Sequence, residues 1–289
     1  MQFHHLMMII GSAFMHALYN ALLKKRGKDP YVLPGLFLVA TGIAWANVLR
    51  EGGLSNVQWS DLPMVFAAAL FYVMYQMLCN KAYQLGDISS LYPLTVLGPV
   101  LIPIWAGLFL SEYLSGQAIS GIGLTFLGAA CIKLKTISWT ELKKAFGLHG
   151  DYAGARWALS ASLMYSVGAI FDKASVSLFD GTSYLAFILA FMTLNMFVAL
   201  LFMRQRAAIS FSAWLPVLLG GVALYLSFMF FRVALKEVFV SIATPIRQVS
   251  ILFAMAFGVI FLNERISRST LFGALLIISG VSLLALAKH

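Results

Sequence analysis

Arg247 stands two residues after Pro245 in the segment Pro245-Ile246-Arg247-Gln248-Val249-Ser250, inside the mostly apolar run 239–261. A charge at the centre of a membrane-spanning helix costs about 2.5–3.5 kcal/mol on insertion scales, so such a residue must face protein or a water-filled cavity. Two roles fit: a guanidinium that grips the carboxylate or phosphate of a bound solute, or a structural arginine that satisfies carbonyls freed by Pro245. His16, Tyr19 and Asn20 form a second set, clustered on one side of a helix, and a histidine there can titrate near neutral pH and couple a proton to a bound solute. Tyr72, Tyr75, Gln76, Cys79, Asn80 and Tyr83 recur in steps of three and four, so much of this set shares one helical face. Tyr75 and Gln76 read as cavity wall, and Tyr83 as an interfacial residue. Tyr92 precedes Pro93, and Pro93 and Pro245 read as hinge or broken-helix positions, because proline removes a backbone donor and frees a carbonyl. Asp172 beside Lys173 reads as a local ion pair or helix-end feature, and Glu112 and Glu264 as helix-end caps or contacts between halves.

The elements that must hold these residues follow from composition. The chain has 289 residues, 61% hydrophobic and only 11% charged, with a mean hydropathy of +0.88. An ordinary soluble domain carries roughly 25% charged residues, so a soluble enzyme, a nucleic-acid binder and a disordered chain are excluded. Apolar runs fall near 5–23, 31–49, 62–83, 89–110, 117–134, 154–176, 182–203, 213–234, 239–261 and 269–287. Each suits a helix crossing roughly 30 Å of hydrocarbon, and their unbroken apolar character excludes a β-barrel, whose strands alternate. The first run has its basic residues after it, so it reads as a retained helix rather than a cleaved leader. Cys79 and Cys131 lie in apolar stretches, and the histidines at 4, 5, 16, 149 and 289 lack metal-ligand spacing, so neither a metal nor a cofactor is expected.

A polar stretch at 135–153 divides the runs into five and five. An offset of 152 residues lays Pro93 on Pro245, Glu112 on Glu264, Ser89 on Ser241, Gly121 on Gly273 and Gly128 on Gly280 without gaps. For the first helix of each half the offset is 149, which puts His16…Lys24 over Tyr165…Lys173. The expected fold is therefore an all-α integral membrane protein of ten transmembrane helices in two five-helix repeats, 1–134 and 154–289. Five is odd, so the second repeat enters the membrane inverted, a recurrent plan of secondary transporters. The glycines at 121, 123, 128, 273 and 280 suggest close helix packing, with a dimer surface as one place for it.

The residues also resemble the drug/metabolite transporter superfamily, in its EamA-like branch. The resemblance rests on His16-Ala17-Leu18-Tyr19-Asn20-Ala21-Leu22-Leu23-Lys24, Tyr92-Pro93-Leu94, Phe171-Asp172-Lys173, the run from Pro245 to Ser250, and the glutamates Glu112 and Glu264. It implies efflux or exchange of small metabolites through a central cavity lined by helices 1, 3, 4, 6, 8 and 9. The sequence departs from relatives that carry Trp at the place of Tyr19 and Arg near Thr95.

The resulting expectation is a secondary transporter, an exporter or exchanger of small organic metabolites such as amino acids. It would work by alternating access in the bacterial inner membrane, as a monomer or homodimer. The bound solute would be anionic or zwitterionic, met by Arg247, Tyr75, Gln76, Asn20, Tyr19, His16 and Tyr92, with proton or ion coupling and without nucleic acid. A flippase for a lipid-linked polar headgroup is an alternative, and a membrane scaffold or channel subunit another. An intramembrane enzyme lacks its metal pair or nucleophile–base set. Orientation stays open: most Lys and Arg follow odd-numbered helices, which puts both termini outside, whereas the resemblance puts both inside.

Overall fold

With almost no water in the hydrocarbon core, each backbone amide and carbonyl must bond within its own segment, and this apolar chain answers with helices. The computed structural model describes residues 1–24, 31–54, 57–85, 88–133, 152–202, 214–262 and 267–287. Its helices are α1 (Phe3–Lys24), α2 (Val32–Arg50), α3 (Leu62–Leu85), α4 (Ile88–Thr95), α5 (Gly98–Phe109), α6 (Gly116–Lys133), α7 (Tyr152–Val176), α8 (Gly181–Phe202), α9 (Trp214–Glu237), α10 (Val240–Arg247), α11 (Ser250–Leu262) and α12 (Arg268–Leu286). Taking α4–α5 and α10–α11 as two broken spans gives ten crossings among the described residues. The helix α7 begins at Tyr152, inside the stretch read as linker. The rest of that linker and Glu264 lie outside the described residues. Large apolar side chains such as Leu38, Leu49, Leu108, Leu201 and Leu219 point outward, as a lipid-facing surface requires.

Two expected continuous helices are interrupted. Pro99 has no N–H for the Thr95 carbonyl four residues back, so the chain steps from α4 to α5 at residues 96–97. The second break, at 248–249, has no such proline. There the Gln248 and Val249 amides turn back onto the Pro245 and Ile246 carbonyls at 3.0 and 3.1 Å, a tighter three-residue turn. Pro93 and Pro245 thus sit inside α4 and α10, and the chain breaks two or three residues beyond them.

Packing repeats itself between the two portions of the chain. The helix α1 runs along α9 as α3 runs along α7, α2 meets α9 as α8 meets α3, and α1 meets α11 as α7 meets α5. Two further pairs join counterparts directly, α2 with α8 and α6 with α12. In the first, the Thr41 and Thr193 hydroxyls, 152 residues apart, bond at 2.9 Å. In the second, a Cβ on Gly121 would lie 2.8 Å from the Gly280 carbonyl and one on Gly128 2.6 Å from the Gly273 carbonyl. As α6 advances from 121 to 128, its partner positions recede from 280 to 273, so these two helices run antiparallel. The small residues therefore pack within the chain; a dimer surface is not where these four sit. Gly123 faces open space.

Close backbone approach makes a sharp test. Gly128→Ala should cost about 1–3 kcal/mol from overpacking, read as a lowered thermal midpoint in detergent. Gly123→Ala should instead gain about 0.5–1 kcal/mol of helix stability. Equal effects at the two positions would show that the α6–α12 seam has room to spare.

Candidate functional site

Both helix breaks reach the same place, a cavity of about 470 Å³, within the usual size for a small-molecule site. The α10–α11 break supplies Thr244, Arg247, Gln248, Ser250, Ile251 and Ala254; the α4–α5 break supplies Tyr92, Thr95, Val96 and Pro99. The helix α1 adds His16, Ala17 and Asn20, α3 adds Tyr75, and α7 adds Tyr165. Helix 8, here α9, does not line the cavity but stands behind it, with Ser227 under Arg247.

Arg247 is half-buried, and its Nη2 donates to Ser227 Oγ at 3.0 Å and approaches His16 Nδ1 at 3.4 Å. The guanidinium carbon lies 4.6 Å from the Phe231 ring centroid, a cation–π contact. Its Nε is buried without a partner. These hydrogen bonds go to side chains, not to carbonyls freed by Pro245, and no carboxylate pairs with it among the described residues. The charge therefore has spare donor capacity beside a cavity.

His16 and Asn20 line the cavity as expected. The Tyr19 hydroxyl lies 2.8 Å from His16 Nδ1, buried behind it rather than on the wall, and Asn20 Nδ2 donates to the His16 carbonyl at 2.8 Å. Tyr75 and Tyr92 are on the wall, but Gln76 is not among the lining residues. Tyr83, expected at the interface, reaches the end of α4, where its hydroxyl bonds Thr95 Oγ1 at 2.9 Å. Tyr165, not selected from the sequence as a site residue, closes one wall, its ring centroid 5.1 Å from that of Tyr75. It lies so close over Gly98, the first residue of α5, that a Cβ there would meet its ring. Ser162 on the same helix donates to the Leu94 carbonyl at the α4 end. Among the described residues no three His, Cys, Asp or Glu side chains converge as a metal site.

Three further charged groups among the described residues, Asp172, Lys173 and Glu112, are held by protein. Asp172 pairs not with its neighbour Lys173 but with Arg232 on α9, at 2.8 Å, and both side chains are almost completely buried. The Tyr72 hydroxyl donates to Asp172 Oδ2 at 2.8 Å and the Tyr184 hydroxyl to Oδ1. Lys173 points the other way and donates to the Leu235, Lys236 and Val238 carbonyls at 2.6, 3.2 and 3.1 Å. That is the negative end of α9, where a cation belongs. Glu112 is the converse. The α5 helix ends with Ser111 at φ 55°, the left-handed position that commonly closes a helix, and the next residue is Glu112. Its buried carboxylate accepts from the Val240 amide at 2.9 Å, the Ser241 amide at 3.1 Å and the Ser241 hydroxyl at 2.7 Å. It thus caps the positive end of α10 from the other half of the chain.

Comparison with known proteins agrees with this architecture. The EamA-like transporter family profile matches residues 5–134 and again 152–286. An uncharacterized transporter of Archaeoglobus fulgidus is 27% identical over 125 residues, which is 42% of this chain and 42% of that protein. The alignment therefore spans less than half the length of this curated relative. A solved crystal structure of a protein superposes with a TM-score of 0.80 at 15% identity, covering 99% of this chain and 98% of its own, a likeness of fold.

The buried ion pair generates its own test. Asp172→Asn leaves the Arg232 charge uncompensated and should destabilise the protein by about 3–5 kcal/mol. Adding Arg232→Met should recover most of that loss. Thermal unfolding of the purified single and double variants measures both, and a double variant no better than the single one would contradict the assignment.

Proposed function

The chain belongs to the EamA-like transporter family, as an integral multi-pass membrane protein, and from that premise we propose that it is a secondary transporter of small organic metabolites that carry a carboxylate, amino acids among them. It acts as an exporter or exchanger in the bacterial inner membrane. The observation that carries this reading is Arg247: a half-buried guanidinium with an unpartnered Nε at the meeting point of two broken helices. A carboxylate accepts from such a fork at two points, and broken helices at mid-membrane are where transporters hold solutes.

The proposed mechanism is alternating access by two halves of opposite orientation. Three observations support it. The family profile matches once on each side of residues 135–151. The α6–α12 pair, counterparts at an offset of 152, packs antiparallel. The cavity wall itself is drawn from equivalent positions: His16 with Tyr165 at the 149 offset, and Tyr92 with Thr244, Thr95 with Arg247, Val96 with Gln248 and Pro99 with Ile251 at 152. A solute so held lies between the halves and is released to either face by their rocking. The Glu112 contact with α10 closes one side in the present arrangement. On the other side Asn20 is exposed at the cavity edge, so the solute enters there.

The test is counterflow in proteoliposomes with panels of amino acids, organic acids, amines and nucleoside-like metabolites. Carboxylate-bearing solutes should exchange and amines should not. Arg247→Ala should abolish exchange while expression and thermal stability persist. Full exchange by that variant would remove the arginine from the binding role, and exchange of amines alone would end the carboxylate reading.

A further inference from the structure

His16 Nδ1 faces two groups at once, the Tyr19 hydroxyl at 2.8 Å and the Arg247 Nη2 at 3.4 Å. A guanidinium can only donate. A hydrogen bond from it therefore requires a lone pair on Nδ1, and with it the ring proton on Nε2 and a neutral imidazole. Protonating Nδ1 would set a second positive charge against the first. The groups around it offer no relief. Tyr19 and Asn20 come from α1, Tyr75 from α3, Tyr92 from α4, Tyr165 from α7, Ser227 from α9, and Arg247 and Gln248 from α10 and its end. None is a carboxylate. Asp172, on the same helix as Tyr165, is already engaged by Arg232, Tyr72 and Tyr184.

An anion bound by Arg247 changes this balance. It supplies the negative charge that the site lacks, so a proton on His16 then meets a net-neutral neighbour instead of a bare cation. We propose that His16 is the coupling residue of this site and takes up one proton together with each carboxylate bound. The proton comes from water on the loading face and enters Nδ1, the Tyr19 hydroxyl turns from donor to acceptor, and the proton leaves with the anion on the opposite face. For a solute of net charge −1, one positive and one negative charge enter together, so the loaded site carries the same net charge as the empty one. For such a monoanion the step is electroneutral proton–anion co-transport, reversible and therefore able to run outward down a solute gradient or as exchange of one loaded solute for another. By reciprocity, the proton strengthens anion binding by the same factor as the anion strengthens proton binding. This inference rests on reading the cavity as an anion site.

The experiment uses the purified full chain with gluconate, succinate and glutamate as probes. Titration calorimetry in buffers of different ionisation heat counts protons taken up per anion. Wild-type protein should take up about one, and apparent affinity should fall by up to about tenfold per pH unit on the alkaline side of the transition. Proteoliposomes loaded with a pH-sensitive dye should acidify when a gluconate gradient is imposed. His16→Asn presents an acceptor but cannot hold the proton, so its count should fall to zero and its affinity should lose the pH slope. If the variant does not stay folded, His16→Gln replaces it. Binding by wild-type protein without proton uptake, or uptake unchanged in the His16 variant, overturns the proposal alone. If none of the probes binds wild-type protein above the level seen with Arg247→Ala, the anion reading falls and the coupling falls with it.

Discussion

A polar group in hydrocarbon has no water to turn to, so its partner must be protein or the contents of a cavity. Among the described residues few charges are buried in this bundle, and those that are find different kinds of partner. Asp172 and Arg232 answer each other with two tyrosines in attendance. Glu112 answers the amide end of one helix, and Lys173 the carbonyl end of another. Arg247 is steadied by a serine, a histidine nitrogen and an aromatic ring but has no counter-charge among the described residues. That this half-buried charge without a counter-ion among the described residues borders the cavity ties the energetics of the fold to the proposed reading of its function.

The helical skeleton was legible in the sequence because apolar runs of spanning length leave little else to form. Their expected bounds fall within a few residues of the observed helices, from α1 through α12. The breaks were less legible. Pro93 and Pro245 marked the right helices, but proline disturbs the carbonyl four residues back and need not end a helix at its own position. In the first half Pro99 sets the step, and in the second a tight turn without proline does. Side-chain partners were the least legible. Sequence adjacency favoured Lys173 as the partner of Asp172, yet neighbours on a helix point in different directions, and the true partner lies 60 residues on. Gln76 fell off the wall for the same reason: a shared helical face is broad, and a cavity touches only part of it.

The residues missed by inspection were reachable by the repeat. Carrying His16 forward by 149, and Tyr75 and Tyr92 by 152, lands on Tyr165, Ser227 and Thr244. The first and last line the cavity, and the middle one holds Arg247. Equivalent backbone positions thus build the wall, but the side chains differ in kind. Thr95 stands where the other half has Arg247, and Val96 where it has Gln248. One half supplies charge and amide, and the other supplies aromatic and small neutral groups. On the proposed reading, backbone likeness provides a place for a solute, and this departure from likeness sets how the solute would lie in it.

The glycine seam between α6 and α12 leaves no slack of even a methyl group. Its contacts are also their own counterparts, since exchanging the two portions of the chain returns Gly121 against Gly280 as Gly273 against Gly128. If the halves trade roles, that seam is the same before and after, whereas the Glu112 contact must be undone. The seam then behaves as an axle, and the remaining helices turn about it as the spokes.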